Sequence, residues 1–148
     1  MNIYPDQGID AIMSVFPKNG ANYSTLYMGF FTSQTATTVP TRSATSGAMP
    51  SGWTEAAGVD YARQAVAAAS WGAQTTDGTG RRTTAAQVTF PAAGSGGWGT
   101  ANGFFLATES SAGASDKIVY FANFDDETAV DIQAGDILKI TPWLALRG

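Results

Sequence analysis

Short runs of alternating apolar and polar residues, each closed by a turn rich in Gly, Pro or Asp, recur along most of this 148-residue chain. Alternation with a period of two places successive side chains on opposite faces of a strand. In residues 23–32, Leu26, Met28 and Phe30 alternate with Thr25, Tyr27 and Phe31. Both sets contain aromatics, which predicts a strand covered on both sides. Residues 117–124 (KIVYFANF) carry the strongest pattern, with Ile118, Tyr120, Ala122 and Phe124 on one face and Val119 and Phe121 on the other. Further strands are predicted at 61–71, 86–90, 98–108, 129–132 and 137–146. Turns are predicted at 76–80, 94–97, 110–116, 125–127 and 134–136. The run Ala67-Ala68-Ala69 also suits a helix. Strands this short, with turns about every 8–12 residues, predict a mainly β chain folded as an antiparallel β-sandwich or jelly roll. The alternation of strand and helix that builds a parallel sheet is missing.

Two segments break the pattern. Asp6 is placed to cap a helix on which Ile9, Ile12, Met13 and Phe16 share one face, and Pro17 with Lys18-Asn19-Gly20 ends it. A short N-terminal helical segment is therefore expected within residues 1–20, either plugging its own domain or docking on a neighbour. Residues 33–58 are rich in Thr, Ser, Ala and Gly, contain Pro40 and Pro50, and show little periodicity. They read as a long loop or arm, the kind of connection that often carries partner contacts. The length fits a single domain over residues 1–148.

The residue inventory removes most chemistry. Cys and His are both absent, which excludes disulfides, thiol nucleophiles, His-based acid–base schemes and the common zinc sites. Serine activation would fall to Lys18, Lys117 or Lys139, and none sits in a Ser-x-x-Lys pattern. Asp125, Asp126 and Glu127 are consecutive, so on a strand they point to opposite faces and form a solvated turn. Asp136 after Gly135 reads as turn chemistry, with its carboxylate accepting from nearby backbone N–H groups. Residues 94–99 (GSGGWG) precede a strand and lack the helix of a phosphate cradle. No catalytic, cofactor-binding or metal-binding residue is expected, no cofactor is expected, and the chain is read as a non-enzyme.

Charge narrows the partners. The formal net charge is −4, and charged residues make up only 14% of the chain, where about a quarter is ordinary. Arg81 and Arg82 are the only adjacent basic pair. The absence of a basic stripe argues against nucleic acid and against a polybasic membrane contact. No apolar run reaches the length of a membrane span, and the first sixteen residues lack the features of a signal peptide. A surface of small neutral residues suits packing against protein. Four tryptophans could form a sugar-stacking platform. Trp71, Trp98 and Trp143 lie in strand-like context and are assigned to the core, which leaves Trp53 as the candidate exposed anchor. The expected partner-contact residues are Arg42, Met49, Trp53 and Arg63.

The segments LYMGFFT (26–32), YARQAV (61–66), VTFPAA (88–93), GWGT (97–100), VYFANF (119–124) and AGDILKI (134–140), in this order, resemble a family of small tailed-bacteriophage virion proteins. That family comprises capsid decoration (cement) proteins and tail-fibre-associated β-sandwich proteins. The resemblance implies a structural role without catalysis, a place in the virion after synthesis in the host cytoplasm, and other virion proteins as partners, either the major capsid protein or tail proteins. It also implies a homo-oligomer, a trimer being one arrangement. The leading expectation is capsid decoration. The alternatives are a tail, neck or fibre-adaptor subunit and, from another class, a host-carbohydrate-binding module. The same motifs have a folding rationale: Tyr61 and Arg63 point the same way, and Gly97 and Gly99 allow Trp98 to sit beneath a tight turn.

Overall fold

The alternation in residues 23–32 does what the pattern dictates. In the computed structural model, which describes residues 24–34, 53–78, 80–113, 116, 118–124 and 129–147, this segment is the first of twelve strands. In chain order these are β1 (Thr25–Gln34), β2 (Trp53–Glu55), β3 (Gln64–Ala67), β4 (Thr75–Asp77), β5 (Gly80–Thr84), β6 (Val88–Thr89), β7 (Gly99–Ala101), β8 (Gly103–Ala107), β9 (Ile118–Asn123), β10 (Val130–Ile132), β11 (Lys139–Ile140) and β12 (Trp143–Arg147). One 3-10 turn, Ala68–Ser70, is the only helical element among the described residues. The chain is thus mainly β and built on antiparallel pairs. The helix expected within residues 1–20 lies outside the described residues, as does most of the segment expected to be a loop. At the ends of that segment, Ser33 and Gln34 extend β1 and Trp53–Glu55 forms β2, so these described parts are strand rather than loop.

The chain divides into two compact units. The first comprises Met1–Leu26, Ala65–Val88 and Ile140–Gly148. Its centre is an antiparallel sheet in the order β12-β5-β4. The β4–β5 hairpin turns at Gly78, whose φ of 58° is the left-handed conformation such turns require. On one face of β5, Thr83 is buried opposite Leu144, and its hydroxyl donates to the Gly72 carbonyl at 3.0 Å. Trp71 is buried where it bridges Ala85, and Leu26 and Val66 are buried in the same unit. Trp143 departs from its expected core position. It is only partly buried, and the Arg82 guanidinium lies 4.7 Å from its ring centroid. The expected final strand is also two strands. Thr141 and Pro142 separate them, because a proline nitrogen cannot donate to a ladder.

The second unit comprises Tyr27–Gln64 and Thr89–Lys139. Here β2, β1, β8 and β9 lie in that order, all antiparallel. The two central strands are covered on both faces. Phe30 meets Phe90 at 4.3 Å and Trp98 at 6.5 Å between ring centroids. On the opposite face Phe31, Trp53, Phe105 and Ala107 form a cluster joined by Phe121 and Ile118. Every residue of β8 is buried. Gly29 makes this packing possible, since a Cβ there would lie 2.5 Å from Phe105 Cζ.

A separate two-stranded ladder pairs β10 with β7. It is entered through residues 94–99, where Gly97 and Gly99 have φ of 67° and 81° and Trp98 is 2% exposed. A Cβ on Gly97 would run into the Ile132 carbonyl oxygen, which accepts from the Trp98 N–H. Gly97→Ala should therefore cost about 2–4 kcal/mol, from the left-handed backbone and the overpacking together. Gly96→Ala, with φ of 90° and open space around it, should cost only the backbone part. Urea unfolding of the two variants measures the difference. The turn expected at Gly135-Asp136 also forms: Asp136 Oδ2 accepts from the Gln133 N–H at 2.9 Å.

Candidate functional site

Arg63 is the one buried cation among the described residues. Burying a guanidinium is unfavourable unless charge and hydrogen bonds answer it, and this chain answers with two carboxylates and a backbone carbonyl. The end of β2 supplies Glu55. Its Oε1 accepts from Arg63 Nε and its Oε2 from Nη2, both at 2.8 Å, which is the two-pronged fit of a guanidinium to a carboxylate. The connection from β8 to β9 supplies the rest. Arg63 Nη1 donates to Asp116 Oδ2 at 2.7 Å and to the Glu109 carbonyl at 2.9 Å. Asp116 Oδ1 in turn accepts from the Glu109 N–H at 3.2 Å. Beneath the guanidinium lies the Phe105 ring, 4.9 Å away.

Tyr61 completes the group. Its hydroxyl donates to Glu55 Oε1 at 3.1 Å and accepts from the Phe30 N–H at 3.1 Å. Its ring packs edge-on to Trp98 with centroids 5.4 Å apart. Exposure falls across the cluster, from 19% for the Glu55 side chain to 2% for Arg63 and none for Asp116. Burial pushes the Tyr61 phenol well above its ordinary range, and the nearby Glu55 charge adds to the shift. For Arg63, burial opposes the charge, but the hydrogen bonds and charges of Glu55 and Asp116 outweigh it and hold the guanidinium more firmly protonated than usual.

These shifts do not describe a poised acid or base. The phenol is neutral, the guanidinium is charged, and the Tyr61 hydroxyl has both a donor and an acceptor. What the cluster does is join three distant stretches of chain: the end of β2, the approach to β3 and the β8–β9 connection. Tyr61→Phe should cost about 1–3 kcal/mol at neutral pH, because the Phe30 N–H loses its acceptor and Glu55 a donor. A phenol whose folded pKa is raised contributes stability that is complete below its unfolded value of about 10 and is lost as pH rises above it. The variant should therefore lose less stability than the parent between pH 7 and about 11, a comparison that urea titrations at the two pH values make directly.

The four expected contact residues fare differently. Arg42 and Met49 lie outside the described residues, as do Asp125, Asp126 and Glu127. Trp53 is not an exposed anchor. It is 8% exposed and packs on Phe31 at 4.6 Å and Phe121 at 4.5 Å, because β2 is long enough to pin its start to the sheet. Arg63 faces inward rather than to an edge. It does share a target with Tyr61, since both bond Glu55. With Trp53, Trp71 and Trp98 buried and Arg82 set against Trp143, the described tryptophans do not assemble a stacking platform. Glu55 and Asp116 were not expected at all. The available signal was Arg63 itself, a cation in an otherwise small and apolar stretch that requires a carboxylate. No group of three or more His, Cys, Asp or Glu among the described residues is placed to hold a metal, and no described helix is long and apolar enough to cross a membrane.

A family model described as Podophage GP4 fiber I protein gp80 matches residues 18–143 of the chain. No curated protein and no solved structure matches it.

Proposed function

The chain belongs to the Podophage GP4 fiber I protein gp80 family, and from that premise we propose that it is a non-enzymatic subunit of a phage tail-fibre apparatus that works by binding other virion proteins. Family membership over most of the chain is the observation that carries this reading. The geometry is compatible with it: the buried Arg63 and Asp116 bond to each other and to backbone, and they brace a β sheet whose central strands are covered on both faces. A sheet so covered suits a rigid spacer or adaptor. Its binding stabilises the assembled particle by mass action, since a subunit that binds only the assembled state favours that state.

The family description favours the tail over the capsid shell, which reverses the order of the two structural expectations. Gold labelling of the parent particle with an antibody to this chain, together with quantitative counting of copies, tests the assignment. Label at the tail and a few to a few dozen copies per particle are expected. Label over the shell with copies in the hundreds would instead establish a decoration protein.

A further inference from the structure

We propose that Asn102-Gly103 is a modification site gated by the fold: it stays intact while β8 is paired with β1 and β9, deamidates when that pairing opens, and yields an acidic product that opposes re-pairing. The inference stands on the geometry of the second unit and is independent of the fibre reading.

The pair is one of two Asn-Gly steps in the chain, the other being Asn19-Gly20. Asparagine followed by glycine is the sequence in which the next backbone nitrogen attacks the carboxamide most easily, because no side chain on the second residue hinders the approach. The Gly103 nitrogen gives up its proton and bonds to Asn102 Cγ. The Cγ–Nδ2 bond breaks, and that nitrogen leaves as ammonia. Water then opens the five-membered imide at either of its carbonyls, giving aspartate or isoaspartate at position 102.

In the folded chain the groups this reaction must move are held. Asn102 lies between β7 and β8. Its N–H donates to the Phe31 carbonyl at 2.9 Å, and its carbonyl accepts from the Phe124 N–H at 3.3 Å. Its carboxamide Nδ2 donates to the Thr32 carbonyl at 2.9 Å. Gly103 is buried and pairs with Phe31 on one side and Asn123 on the other. A Cβ there would meet the Ala122 carbonyl oxygen and, at 2.6 Å, Phe31 Cζ, so the backbone has little room to swing toward Cγ. The product does not fit the same place. Aspartate has no hydrogen to give the Thr32 carbonyl and sets a carboxylate oxygen against it. Isoaspartate adds a methylene to the backbone and shifts Gly103 out of its register between Phe31 and Asn123. A chain that opens here therefore loses part of its route back.

Peptide mass mapping of the full chain, incubated at mildly alkaline pH either folded or in concentrated urea, tests the gate. In urea both Asn102 and Asn19 should convert at comparable rates. In the folded chain Asn102 should convert at least about tenfold more slowly than in urea, because a group that reacts only when opened reacts in proportion to the open fraction. Asn102 that converts as fast folded as unfolded overturns the gate, and Asn102 that stays intact in urea overturns the site. Diluting partly converted chains out of urea tests the re-pairing. The folded fraction should be depleted of aspartate and isoaspartate at position 102 relative to the material diluted, and an unchanged proportion overturns this step. If too little protein refolds to compare, two variants decide. Asn102→Asp should melt below Asn102→Ala, since alanine only loses the bond to Thr32 whereas the carboxylate also opposes it. An Asn102→Asp chain that does not fold beside a folded Asn102→Ala gives the same answer, and one that melts at or above Asn102→Ala overturns the proposal.

Discussion

Replacing Arg63 by methionine is expected to lower the unfolding free energy by about 3–5 kcal/mol, the usual cost of stranding buried charge. Methionine keeps most of the apolar stem and still covers Phe105, so lost packing is a minor part of the effect. The larger part comes from Asp116, whose side chain has no exposure, and from Glu55, which loses both prongs of its fit. Coupling between the two groups is read from a double-mutant cycle. Asp116→Asn removes the charge that Arg63 answers, and in the Arg63→Met background it should cost much less than in the parent, or even stabilise. Costs that simply add, within about 0.5 kcal/mol, would show that the two groups act independently. The same logic separates stability from uniqueness. Replacing the cluster by apolar residues of similar size can leave stability unchanged, and the expected loss is then in the fixed position of the β8–β9 connection, visible as faster amide exchange at Glu109 and Asp116.

How much of this could be read in the sequence depended on the range of the interaction. The alternation in β1 and β9 was legible because a strand buried on one or both faces writes its pattern into consecutive residues. The turn at Gly135-Asp136 and the tight approach to Trp98 were legible because glycine next to Asp or Trp has few other uses. The β4–β5 hairpin was not. Thr75–Asp77 and Gly80–Thr84 are polar, with an arginine pair, and only a turn at 76–80 was expected there. Yet Asp77-Gly78 is a hairpin signal in itself, and the strands on either side needed only to be allowed to be polar. Residues 98–108 and 137–146 each read as one strand and proved to be two, because periodicity runs through a break at Asn102 or at Thr141 and Pro142 that only the ladder partners define. The Arg63 cluster was half legible. Its cation was singled out, but Glu55 and Asp116 lie 8 and 53 residues away in opposite directions. Only the register of β2 on β1 and the course of the β8–β9 connection bring them together. Trp53 shows the same limit: a tryptophan beside an irregular segment is equally an anchor or a core residue until the strand that holds it is known.

Trp98 is the second position at which a single change should be severe. Trp98→Ala is expected to cost about 3–5 kcal/mol, as for other large aromatics removed from a core. The side chain is 2% exposed and touches three rings, those of Phe30, Phe90 and Tyr61. Its indole N–H donates to the Val59 carbonyl at 2.9 Å, the same carbonyl that receives the Gly94 N–H. Trp98 therefore ties the core of the second unit to the surface carrying Val59, and its loss should be felt at both. Trp98→Phe divides the two contributions. It preserves part of the ring packing and forfeits the hydrogen bond, so it should cost about 1–3 kcal/mol and loosen residues 58–60 more than the sheet. Denaturant unfolding gives the energies, and amide exchange at Asp60 and Gly94 against that at Leu106 locates the loosening. Uniform exchange across these sites in Trp98→Phe would mean that the indole N–H has no local role and that ring volume alone secures this end of the unit.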